Sequence, residues 1–91
     1  MKSALPKPTK ETEPVYTWYA YTANSSCIER TKKFMLRWLD ERRLLKKVLD
    51  IAVVEPHSDV KVIRFVTTEK IAGKMVDCPG FIEIRNASNW I

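Results

Sequence analysis

Ninety-one residues allow one small domain, long enough for a core but short enough that every buried side chain counts. With 45% apolar and 30% charged residues the composition is that of a globular chain rather than a disordered one, and no apolar run approaches the ~18 to 20 residues that a spanning helix needs. A formal charge of +5 and a pI ≈ 9.4 suit a nucleic acid or an anionic protein surface, and equally well simple solubility.

Residues 1–14, MKSALPKPTKETEP, hold three of the five prolines among Lys, Thr and Glu, and are expected to form a mobile tail. They lack the apolar stretch of a secretory leader. Order is expected from VYTWYAYTA, residues 15–23, whose aromatic and β-branched density predicts a strand. Its two faces are Tyr19 with Tyr21, and Tyr16, Trp18 and Ala20, so large rings point both ways. Ser26 and Glu29 have the S-x-x-E spacing of a capping box. Beyond them Ile28, Thr31, Met35, Trp38 and Leu39, with Phe34 at the edge, predict a buried helical stripe reaching about Arg43. Arg30, Lys33 and Arg37 fall on another side of that helix. Half of the sixteen basic residues lie between Arg30 and Lys47, opposed there by Asp40 and Glu41 alone. Such a run ordinarily coats a solvated face; contact with a polyanion is the sharper alternative.

Leu44, Leu45, Val48 and Leu49 are expected in a last helical turn or a short second helix. IAVVEP, 51–56, reads as a strand stopped by Pro56, and VKVIRFVT, 60–67, as another. TEKIAGK supplies a turn around Gly73. A strand follows from Phe81 to Arg85, entered through Pro79-Gly80, and Asn86 or Ser88 is a candidate helix cap in the closing NASNW. The order β, α, β, β-hairpin predicts an α+β fold in which the helix joins two parallel strands and covers one face of a small mixed sheet. Trp18 and Phe81 are expected on the open face, with Tyr19, Tyr21, Ile82 and Ile84 beneath the helix.

The chemistry of an enzyme is lacking. Two glycines give no phosphate-cradling loop, one histidine (His57, between Pro56 and Ser58) gives little acid–base machinery, and the acidic residues are scattered. No catalytic residue, metal or cofactor is expected. Cys27 and Cys78 show no CxxC or His partner and are expected as reduced, cytosolic thiols.

From Tyr16 to Trp90 the chain resembles the N-terminal (NGN) domain of NusG-type transcription elongation factors. Family members open with a strand of the form WYVVQAxSGxE, matched by WYAYTANSSCIE from Trp18 to Glu29. An amphipathic helix and a strand ending VxVP follow, the latter matched by AVVEP at 52–56. After a basic hairpin comes KFFPGYVLV, matched by MVDCPGFIEI, and then a polar turn leading to Trp, matched by NASNW. The resemblance implies a ferredoxin/RNP-like sandwich and a monomeric, cytoplasmic module travelling with transcribing RNA polymerase. Its open sheet face would dock on the clamp helices of the largest catalytic subunit and modulate pausing or antitermination. It carries that docking role onto Tyr16, Trp18, Ala20, Cys78, Pro79, Gly80 and Phe81, and makes Arg30, Lys33 and Arg37 candidates for contact with upstream or non-template DNA. No membrane partner is implied. Asp77 and Cys78 replace the two family Phe, which weakens or reshapes docking. The family's closing helix and strand, and its small C-terminal KOW barrel, are expected to be missing. An RRM-like single-stranded RNA-binding domain, stacking bases on Tyr16, Trp18 and Phe81, is the alternative, although VIRFVT lacks the glycines of the RNP consensus. A basic structural subunit of a larger assembly is the blander one.

Overall fold

A computed structural model of the chain describes residues 13–23 and 25–87. The expected tail, apart from its last two residues, and the end of NASNW lie outside the described residues. Six main elements follow in order: β1 (Val15–Thr22), α1 (Ile28–Glu41), β2 (Leu49–His57), β3 (Val60–Thr68), α2 (Glu69–Met75) and β4 (Phe81–Asn86). Short 3-10 turns at Ser25–Cys27 and Leu45–Lys47 flank α1. The class is α+β: a four-stranded sheet in the order β2-β3-β1-β4, with both helices on one face.

Every neighbouring pair of strands is antiparallel. The expected mixed sheet, with β1 beside a parallel β2, does not form. The tight turn at Ser58-Asp59 returns β3 directly along β2, and β3 takes the place between β2 and β1. β3 is suited to that central position because both its alternations bury: Ile63, Phe65 and Thr67 on one face, Val62 on the other. β2 becomes an edge strand, which explains why it runs on through Pro56; a missing ladder donor is tolerated at an edge. The pairing with β3 slips by one residue between Val54 and His57 to accommodate it, and again between Leu49 and Ala52, where Asp50 adopts φ 52°.

The stripe on α1 buries Ile28, Met35, Trp38 and Leu39 as expected, while Phe34 stays exposed. The helix does not start at the Ser26 of the expected capping box. The cap position falls on Cys27, whose side chain makes no cap bond, because the chain first turns through the 3-10 segment. The C-terminal end of α1 is a Schellman arrangement. Leu44 N–H donates to Leu39 O at 2.9 Å, Arg43 N–H donates to Asp40 O at 3.0 Å, and Arg43 takes the left-handed φ of 60°. Leu44 then folds back into the core that Leu39 occupies.

TEKIAGK is helical rather than a turn. Thr68 caps α2 by accepting from Ile71 N–H at 3.3 Å, and Ile71, Ala72 and Met75 all face the core. That burial outweighs the glycine at position 73, which sits on the exposed side.

Candidate functional site

The rings of β1 divide between the two faces in the opposite sense to that expected. Pairing places Trp18 beside Phe65 and Ala20 beside Ile63, on the face that α1 and α2 cover. Trp18 is only 8% exposed, and its indole N–H donates to Thr67 O at 3.0 Å. Tyr16 stands edge-on to it with ring centroids 6.1 Å apart. Ala20 is fully buried, small enough for the helix layer to close over it. Thr67, the one polar side chain in the described core, is satisfied by donating from Oγ1 to Lys47 O at 2.8 Å.

Phe81 and Ile84 lie three residues apart, yet both pack against this same core. A bulge reconciles them. Tyr21 pairs with Glu83 while Thr22 pairs with Phe81, so β4 carries one extra residue, Ile82, opposite a single step of β1. Ile82 is 67% exposed instead of lying beneath a helix, Phe81 turns inward, and only Ile84 packs where strict alternation put it.

Strand entry depends on Gly80. Its φ of 96° favours glycine, and a Cβ there would come within 3.1 Å of Thr31 Cγ2 on α1. Ala23 N–H donates to Gly80 O at 3.3 Å, tying the Pro79-Gly80 turn to the end of β1. Cys78 is 2% exposed, and burial pushes its thiol pKa up to about 11 against a smaller opposing effect of the Arg42 charge. Both cysteines are free thiols.

Of the residues expected to dock a partner, then, Trp18, Ala20 and Cys78 are core, and Tyr16 and Phe81 are half-buried against it; Pro79 and Gly80 are exposed in a turn. The rings of Tyr16, Trp18 and Phe81 therefore form no surface on the open face, because they belong to the other one. Arg30, Lys33 and Arg37 are exposed on α1, opposite its buried stripe.

The opposite face, which no helix of the described residues covers, has a different membership. Tyr19 pairs with Arg64 on one side and Arg85 on the other, so its ring lies in a row between two guanidinium-bearing side chains. Tyr21 pairs with Glu83, and the Arg85 guanidinium carbon lies 5.6 Å from the Tyr21 ring centroid. Glu83 and Arg85, two apart on β4, form an ion pair at 2.6 Å. That hydrogen bond and the Glu83 charge raise the Arg85 pKa above its ordinary value. Thr17, Val54, Val62 and Val66 complete the face, with Val62 fully buried next to Val54. Both tyrosines are half-buried. The result is a shallow surface of two phenol rings, aliphatic side chains and two arginines. It can take an apolar or π-bearing partner and hydrogen-bond to it. Arg64 was the sequence signal for this face: a cation amid Val62 and Val66 marks the wet side of a central strand, and Tyr19 pairs with it.

Among the described residues no group of three His, Cys, Asp or Glu side chains is placed to hold a metal ion, and no helix is long and apolar enough to cross a membrane. No family model, curated protein or solved structure matches this chain.

Proposed function

We propose that the chain is a transcription elongation module of the NGN type. It docks on RNA polymerase, at the clamp helices of the largest catalytic subunit, through its uncovered sheet face, and it modulates pausing or termination without chemistry of its own. The observation that carries this reading is the face itself, where Tyr19 and Tyr21 sit among Val54, Val66, Arg64 and Arg85. Aromatic and arginine side chains of this kind dominate the energetics of protein interfaces. The order of sequence motifs from Trp18 to the closing NASNW supports it from the side of resemblance. The β-α-β-β-α-β element order is compatible with the split βαβ layout that the RNP-like fold uses, and that finer fold is part of the proposal. The docking residues change accordingly: Tyr19 and Tyr21 take the place assigned to Trp18 and Phe81. Co-purification with RNA polymerase tests the proposal. The wild-type domain is retained by the enzyme; the Tyr19→Ala/Tyr21→Ala double variant, folded by circular dichroism, is not. Equal retention of both refutes the assignment.

One observation favours a second reading. Tyr19 flanked by Arg64 and Arg85 is also a platform for stacking an unpaired base, with cations at hand for its phosphates. On that reading single-stranded RNA quenches tyrosine fluorescence and loses affinity steeply with salt, in the absence of polymerase.

A further inference from the structure

β4 closes one side of the sheet, and among the described residues no strand pairs with its outer edge. The opposite edge, β2, is blunted: Pro56 removes a ladder donor, two register slips break its line, and Asp50 and Glu55 place charge along it. β4 has no proline, and beyond the bulge at Ile82 its residues 83–86 pair with β1 in unbroken register. Apolar side chains flank this edge. Ile82 is 67% exposed and Val76 55%, and with Phe81, Glu83 and Ile84 they line one small hollow of about 50 Å³. An edge built this way is a template for another strand, and its charges select which one.

We propose that the β4 edge pairs antiparallel with the β4 edge of a second copy of this chain about a two-fold axis, joining the two four-stranded sheets into one. The segment FIEIRN complements itself in a single register. An axis at Ile84 sets Ile84 against Ile84 of the second copy, and sets Glu83 against Arg85 on both sides of it. An axis at Glu83 or at Arg85 opposes like charges, and one at Ile82 sets Ile84 against the Gly80 turn. Within each strand Arg85 Nε already donates to Glu83 Oε2 at 2.6 Å, with both side chains about half exposed. Two copies close these pairs into an alternating cluster of four charges. Tyr21 and Glu83 of one copy then fall in one cross-strand row with Arg85 and Tyr19 of the other, so the two uncovered faces run together. The second copy also lies along the strip of Ile82 and Val76, removing apolar surface from water. This pairing is independent of polymerase docking and departs from the monomer that the resemblance implies.

Sedimentation equilibrium of the full chain, from about 10 µM to about 0.5 mM, tests it. The wild-type mass is expected to rise with concentration from 10.6 kDa towards twice that value. Glu83→Arg and Arg85→Glu, each shown to be folded by circular dichroism, weaken self-association about tenfold or more, because both cross-strand pairs become like-charged. Mixed in equal amounts, the two variants recover wild-type association, since every opposed pair again joins opposite charges. The ion pair within each strand stays broken in that mixture, so recovery reports contact between copies and not repair of a single chain. The proposal fails if the wild-type protein remains at 10.6 kDa at about 0.5 mM, or if either variant alone associates as tightly as wild type. It fails equally if the mixture recovers nothing, or if the mass grows past that of a dimer, since a pairing about a two-fold axis closes on itself.

Discussion

Replacing Trp18 by alanine removes a side chain that packs beneath both helices, and with it a buried hydrogen bond from the indole N–H to Thr67 O. Large-to-small changes of this kind in a closed core cost about 3–5 kcal/mol, of which the hydrogen bond accounts for about 1. A domain of this size has roughly 5–10 kcal/mol to lose, so the variant stands near its unfolding threshold. Trp18→Phe keeps most of the packing and forfeits the hydrogen bond, for a loss of about 1–2 kcal/mol. Tyr19→Ala, one residue along and half-buried on the opposite face, costs less, about 1–2 kcal/mol. Urea titrations followed by far-ultraviolet circular dichroism measure all three. The reasoning is refuted if Trp18→Ala shifts stability by less than 1 kcal/mol, or if Tyr19→Ala proves the costlier change; either would put Trp18 back on the open face. The experiment also governs how a Trp18/Phe81 double variant is read: its failure to bind a partner reports a damaged core.

Three further outcomes follow from the same geometry. Gly80→Ala places a Cβ at a φ of 96° and 3.1 Å from Thr31 Cγ2, and is expected to lower stability by about 2 kcal/mol, seen as a reduced Tm; an unchanged Tm would show that the strand entry can relax. Gly73→Ala sits on the exposed side of α2, where a Cβ meets nothing within 4 Å, so it should raise stability by about 0.8–1.0 kcal/mol, and a loss instead would argue that α2 is not helical. Cys78 holds its proton up to about pH 11 when folded and releases it near its ordinary value of 9.0 when unfolded. Between those values the native state binds more protons, so this contribution is complete below pH 9 and is lost as pH rises towards 11. The alkaline decline in unfolding free energy should therefore flatten in Cys78→Ala; an identical slope would mean the thiol is not buried.

Much of the local structure was readable from the residues. The aromatic and β-branched run gave β1, the 3.6-residue stripe gave α1 with its buried Ile28, Met35, Trp38 and Leu39, and Pro79-Gly80 gave the entry to β4. The face assignment failed for a definite reason. β1 carries rings on both alternations, so hydrophobicity alone cannot orient it, and what decides is tertiary: the indole bond to Thr67 O and the small Ala20 beneath the helices. On β4, period-2 reasoning broke at the Ile82 bulge, which turns Phe81 and Ile84 to the same side. α2 was hidden by its length and its glycine, since seven residues offer little periodicity to read. Sheet order was not a local property at all, because it depends on which neighbour β3 selects.

The most direct test of the central claim, that the uncovered sheet face is the docking surface, is a nuclear magnetic resonance titration of the labelled domain with the isolated clamp-helix hairpin of RNA polymerase. Shift changes are expected to concentrate at Thr17, Tyr19, Tyr21, Arg64, Val66 and Arg85, with α1 and α2 unmoved. Changes confined to the helix side, or none at all at saturating hairpin, would contradict it.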